Sequence, residues 1–396
     1  MESLVTSTLL ILSIASCMLW VANGDGSVNL LNFGAKGDGQ SDDTQAFQEG
    51  WDAICKSNNG PNTLVVPAGR TFVIGQLWLS GPCKSNSVQI QILGNIQALT
   101  KANWKGPCSR RWLSFRGVNN LHINGQGTID GQGQSWWENT NGGCNAAPTA
   151  TVYERCDGLK IDGITYKNGP KFHLHVVHSE DVSISNVNIF APQHSHNTDG
   201  IDLTNARQVN IHDCTIGTGD DCIAIKGGTR FVNISNVICG PGHGISVGSL
   251  GEGGEEESVN DVNVWNCTIN GTFGGVKVKT WPGGKGHANA ISFKHITVIN
   301  ASFPVMIDQH YNHSSDQGGS AVRVSDITFS DVHGTCSSDQ AVILDCSDSI
   351  ACSNIKLDQI NIKASNPSRP AIAKCNNAKG TATDILSPSI TCLSSS

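Results

Sequence analysis

Three short segments of this chain place acidic and basic side chains at equal intervals: Asp199-Gly-Ile-Asp-Leu203, Asp221-Cys-Ile-Ala-Ile225 and His243-Gly-Ile-Ser-Val247. Their leading residues lie 22 positions apart, twice over (221 − 199 and 243 − 221). Asp220 precedes the middle one. A later segment, Gly275-Val-Lys-Val-Lys279, adds Lys277 and Lys279, and Tyr311 follows. Carboxyls beside a histidine and two lysines suit the hydrolysis of a glycoside. That reaction needs one protonated carboxyl to give the leaving oxygen a proton and a second, ionised, carboxyl to activate water. Carboxylates packed together repel, so at least one of them keeps its proton. The lysines suit a carboxylate on the substrate while offsetting the acidic cluster. A single aspartate at a chain corner is ordinarily a turn former, so the argument rests on the three segments sharing one register.

That register needs a backbone that returns to the same place every coil, and the sequence contains such a repeat. The unit is apolar, any, apolar, any, polar or Gly, apolar, any, apolar, and it begins at Leu159, Val182, Val209, Val232, Val262, Ile291, Val322 and Ile355. Its period of two predicts strands with one buried face, and the Asn, Asp or Gly at its centre tolerates the left-handed backbone of a corner. Successive units start 23, 27, 23, 30, 29, 31 and 33 residues apart. These gaps are too long for hairpins and carry no amphipathic helix, which leaves a solenoid of stacked parallel coils, with a propeller or sandwich as the alternatives. Aligned coils stack side chains at the parallel-strand spacing of ~4.8 Å. The stretch Ser41-Asp-Asp-Thr44 reads as a helix N-cap, followed by Ala46, Phe47, Trp51 and Ile54 on one helical face, a short helix that plugs the N-terminal end.

Composition narrows the class further. Only 15% of residues are charged, 44 are Gly, and the formal net charge is −7. No basic stripe exists for nucleic acid. Leu9 to Val21 form an uncharged apolar run followed by small residues, so residues 1–24 are expected to be a signal peptide and residues 25–396 one secreted domain. No later segment is apolar enough to span a membrane. Of 15 Cys, removal of Cys17 with the signal leaves 14, an even number without any Cys-x-x-Cys pair, which points to disulfides rather than zinc. Five Asn-x-Ser/Thr triplets, at Asn233, Asn266, Asn270, Asn300 and Asn312, permit glycosylation.

Asn197-Thr-Asp-Gly200, Gly219-Asp-Asp221, Gly242-His-Gly244 and Lys277-Val-Lys279, with Tyr311 in Asp308-Gln-His-Tyr311, occur in an order that resembles the polygalacturonase family, the glycoside hydrolases of family 28. The wording is plant-like and the resemblance covers nearly the whole mature chain. It implies an all-β fold, a single-stranded right-handed parallel β-helix, acting on pectin or polygalacturonate in the cell wall as a monomer. It implies inversion without a metal or other cofactor. By the same resemblance Asp220 is the general acid, Asp199 and Asp221 orient and deprotonate water, and His243 tunes the acid. Lys277, Lys279 and Tyr311 bind the galacturonate, and Asn197 supports the site. The disulfides implied are Cys222–Cys239, Cys346–Cys352 and Cys375–Cys392; the other eight cysteines stay unassigned.

Two features depart from that pattern. A column spacing of ~4.8 Å is nearer the carboxyl separation of retaining enzymes than the ~6.5–9.5 Å of inverting ones. The family has Arg where this chain has Lys277, which keeps the charge but loses the planar fork that grips a carboxylate. A weakened or inactive pectin-binding relative is therefore the alternative, and endo- versus exo-cleavage is left open. Gly244-Ile-Ser246-Val-Gly248 matches a serine-hydrolase pattern but lacks the following helix that such an elbow needs. The acidic run Gly251 to Glu257 reads as a solvated loop, and Trp136-Trp137 as packing.

Overall fold

The computed structural model describes residues 26–58, 60–104, 110–137, 146–311 and 321–393. The expected signal peptide, Cys17, Cys108, Cys144 and the Asn312 triplet lie outside them. Eleven strands, from Leu77–Ser80 to Ile372–Asn376, form one ladder in which every neighbour comes from the adjacent coil, and each pair is parallel. A second, larger sheet supplies the remaining walls. Along it, Ile184, Ile211, Ile234, Val264, Phe293, Phe329 and Leu357 stack in one inward column, all buried. Each such side chain gains roughly 1.5–3 kcal/mol on burial, but only the coils above and below can provide it. The solenoid expected from the repeat is the observed architecture.

The corners explain why the repeat reads as it does. Asp181, Gln208, Phe231, Asp261, Ala290, Asp326 and Asn354 all have positive φ and stand just before a unit; Asn186, Asp213, Asn236, Asn266, His295, Asp331 and Gln359 repeat this five residues later. The left-handed residue lets each wall end and the next begin. Asn and Asp dominate, whereas Phe231 and Ala290 hold the conformation against their own preference because coils on both sides fix it.

One expected unit is misplaced. Ile291 pairs with Ile327, not Val322, and Ile327 then aligns with Ile355. The alternation from Val322 to Phe329 fits the period-two pattern equally well from either start. The pivot at Asp326 (φ 57°) identifies the true corner.

The N-terminal helix spans Thr44–Lys56 and buries Ala46, Phe47, Trp51 and Ile54 over the end of the solenoid, as expected. Its cap differs. The Asp43 side chain makes no hydrogen bond to the helix's first turn, and its carboxylate instead accepts from the amides of Lys36 (2.6 Å) and Gly37 (3.0 Å). A disulfide, Cys55–Cys83, ties this helix down. The three disulfides implied by resemblance are present. Four further cysteines, Cys156, Cys214, Cys267 and Cys336, are buried free thiols. An even count was therefore no guide to pairing: inside a coil, cysteine serves as a small apolar residue.

Candidate active site

Asp199, Asp221 and His243 each precede a strand by two residues: Ile201–Thr204, Ile223–Ile225 and Ile245–Leu250. The strands thus begin later than the sequence segments suggest, but the register holds, because Ile201, Ile223 and Ile245 are mutual ladder partners. The ladder also continues into the turns. The Gly200 amide donates to the Asp221 carbonyl (2.9 Å) and the His243 amide to the Asp220 carbonyl (2.8 Å). Core-facing Ile201, Leu203, Ile223, Ile225, Val276 and Val278 alternate with an outward column of Asp202, Ala224, Ser246 and Lys277. The three segments therefore meet on one outer face.

Small residues make the turns possible. Gly219 packs so closely on Ser195 that a Cβ there would collide with the Ser195 carbonyl. The Gly219 amide also donates to Thr198 Oγ1 (3.0 Å), which fixes the Asp220-Asp221 turn against the Asn197-Thr198-Asp199 turn. His173, fully buried, holds the other side. Its Nε2 accepts from the Gly169 amide (2.9 Å), so Nδ1 carries the hydrogen that it donates to the Asp199 carbonyl (3.1 Å). Burial lowers its pKa to about 4, which keeps the ring neutral.

Asp221 is the most enclosed of the three expected acids. Lys277 Nζ lies 3.0 Å from Oδ1 and Lys279 Nζ 2.7 Å from Oδ2, while Ser246 Oγ donates to Oδ1 (2.8 Å). Burial alone would raise its pKa, but the two ammonium charges and these bonds outweigh burial and hold it well below the ordinary carboxylate range. Both lysines are themselves buried. Lys279 also stands 5.2 Å from the Tyr311 ring, which packs edge-on against Trp281.

Asp220 is the more open carboxyl, with 19% of its side chain exposed. Its Oδ1 is 3.0 Å from His243 Nδ1 and accepts from the Asp221 amide (2.8 Å); Asn197 Nδ2 approaches Oδ2 at 3.5 Å. Burial, the largest single influence, pulls its pKa up, but the His243 bond and charge together with the Asp221 amide outweigh it, and the net direction is downward. Asp199 goes the other way. Burial first, then the charges of Asp202, Asp220 and Asp221, push it well above the carboxylate range. Of the three expected acids, Asp199 is the one that keeps its proton in the free site.

The structure adds Asp202, His173, Ser246 and Lys226 to this neighbourhood. Asp202 is fully buried with its carboxyl raised to about 6, by burial against the opposing pull of Lys226. Its position three residues after Asp199 in an alternating strand was the one available signal. Ser246 is fully buried on its strand and bonded to Asp221, so the serine-hydrolase pattern is a support for a carboxylate. Asp220, Asp221 and His243 bring one ligand atom each within 4.8 Å of one another. Those atoms are already engaged, and two ammonium groups beside Asp221 oppose a cation there.

The sequence profile of glycosyl hydrolases family 28 matches residues 55–386. Among similar proteins, a probable polygalacturonase of Arabidopsis thaliana is 42% identical over 95% of this chain and 82% of its own length. An exopolygalacturonase of Platanus acerifolia is 39% identical over 93% and 98%. Among solved structures, the endo-xylogalacturonan hydrolase of Aspergillus tubingensis superposes with a TM-score of 0.75 at 26% identity, over 91% of this chain and 97% of that one. The exopolygalacturonase of Thermotoga maritima shares the fold, with a TM-score of 0.72 at 21% identity over 85% and 88%. A right-handed parallel β-helix with this cluster on its outer face, matched to that profile over most of its length, belongs to family 28 of the glycosyl hydrolases.

Proposed function

We propose that this chain is a polygalacturonase that hydrolyses α-1,4-galacturonosyl linkages of pectin with inversion. Asp220 gives its proton to the leaving glycosidic oxygen. Asp199 and Asp221 orient the attacking water, and Asp221, the ionised one of the two, accepts its proton as its oxygen bonds to the anomeric carbon. His243 sets the protonation of Asp220, Lys277, Lys279 and Tyr311 face the galacturonate at the cleavage point, and Asn197 steadies Asp220.

The observation that carries this reading is the unequal environment of three neighbouring carboxyls. Asp221 is fixed as a carboxylate by two ammonium groups, Asp199 is buried and raised, and Asp220 alone opens to the groove beside a histidine. Asp220 is low in the free site. A bound sugar ring strips water from it and brings another negative charge, and both effects raise its pKa toward that of a donor. A second reading makes Asp199 the donor, because it already holds a proton.

The assay is release of reducing ends from polygalacturonate. Residual activity that has lost the alkaline limb of its pH profile in Asp220→Asn, but keeps it in Asp199→Asn, assigns the acid to Asp220; the reverse assigns it to Asp199. Proton NMR of the first-formed anomer tests inversion. Binding of polygalacturonate with no product above the Asp220→Asn control would make the chain a pectin-binding relative.

The same proposal takes residues 1–24 as a removable signal peptide and residues 25–396 as one catalytic domain. The enzyme then acts outside the cell on wall pectin, as a monomer. Among the described residues no helix is long and apolar enough to cross a membrane.

A further inference from the structure

On the N-terminal side of the acid cluster the same face carries charges that the proposed reaction does not use. Phe172 lies just before the strand Leu174–Val177, and two ammonium groups, of Lys171 and Lys226, each stand 4.4 Å from its ring centroid. Lys226 follows the strand Ile223–Ile225, and its Nζ is 3.1 Å from Asp202 Oδ1. Oδ2 of that fully buried Asp202 has no hydrogen-bond partner among the described residues. Lys171 is half-buried and, among the described residues, has no carboxylate within ion-pair distance. His175 packs edge-on to Phe172 at 5.8 Å and is kept neutral by burial and by the positive charges of Lys226, Arg111 and Lys171.

Two cations therefore share one aromatic ring with a single carboxylate between them. An ammonium drawn partly out of water without a counter-ion is unfavourable, and a neighbouring ammonium makes it more so. An incoming carboxylate relieves both. The site lies within reach of the cleavage point: Lys226 follows Ile225 and Lys279 follows Val278, and those two core residues stack through Val247. Two coils at ~4.8 Å each separate them, so one polymer strand bridges both.

We propose that Lys171, Phe172 and Lys226 form a uronate-binding subsite that grips a galacturonate carboxylate upstream of the cleavage point, with the sugar ring against Phe172. This rests on the hydrolase reading above, and the test separates the two. Galacturonate trimers and hexamers are compared as substrates of the full chain. In Lys171→Gln the hexamer-to-trimer ratio of kcat/KM is expected to fall about tenfold, through KM, the worth of one charge-assisted contact. Lys171→Arg is expected to keep the ratio within about twofold of wild type. An unchanged ratio in Lys171→Gln overturns the subsite. Should Lys171→Gln not fold, Phe172→Leu is read in the same way. Wild-type protein that cleaves neither oligomer overturns the hydrolase reading instead. Calorimetric binding of the hexamer then decides the subsite, with a tenfold loss in Lys171→Gln supporting it and equal or absent affinity refuting it.

Discussion

Lys279 Nζ stands 2.7 Å from Asp221 Oδ2, and both side chains are buried. Together with Lys277 on the same strand it holds ionised, in the free site, an acid that burial would neutralise. Replacing Lys279 by Met leaves Asp221 with one cation instead of two. Because breaking a buried pair costs about 3–5 kcal/mol, kcat on polygalacturonate is expected to drop by at least ~100-fold. A Lys279→Met enzyme that retains a tenth of wild-type turnover would show that Asp221 does not depend on this pair.

Lys277→Arg restores the family's fork at a point where this chain has a single-point ammonium, 3.0 Å from Asp221 Oδ1. Steady-state kinetics are expected to show a KM lowered several-fold. If KM and kcat both stay put, the lysine is no handicap and the weakened-relative alternative loses its basis.

Stability should depend on pH through Asp199 and Asp202. Both carboxyls are raised in the folded chain, Asp202 to about 6, so between roughly pH 4 and 6 the native state binds more protons than the unfolded one. Stability then falls as pH rises through that window. Asp199→Asn removes part of the effect. The variant should melt above wild type at pH 7, by ~2 °C or more, and match it below pH 4. Parallel melting curves across that range would refute the assignment of Asp199 as a proton-holding group.

Gly219→Ala puts a methyl group into the Ser195 carbonyl. The turn carrying Asp220 and Asp221 must then shift, and a displacement of even ~1 Å costs about 100-fold in rate. Far-ultraviolet circular dichroism should stay near wild type while activity collapses. An active Gly219→Ala protein would mean that the two turns are less tightly docked than their bonds imply.

Cys156, Cys214, Cys267 and Cys336, the free cysteines among the described residues, should be silent to Ellman's reagent in the native protein and titrate only on unfolding. Burial lifts Cys156, Cys214 and Cys267 to about 11. Fast labelling of any of them at pH 8 would contradict their place inside the coils.

The fold was legible because a stacked coil repeats its inward residues, and period-two alternation survives in the sequence. The mistaken start at Val322 arose because Val322-Arg-Val324 before Asp326 imitates the first half of a unit, and only the pairing of Ile291 with Ile327 fixes the corner. The cluster was legible through equal spacing, which reports columns. What spacing could not report is direction across the column. Lys277 and Lys279 turn toward Asp221, Ser246 bonds the same carboxylate, and His173 props Asp199 from within. Those contacts depend on depth and rotamer, which leave no period in the chain.

Lys277 and Lys279 flank core-facing Val278 on a single strand. A slip of one residue in that strand would drive both ammonium groups inward and expel the valine. No nearly correct winding of these coils can retain a working cleft, so recovered turnover after refolding is a direct count of correctly threaded molecules.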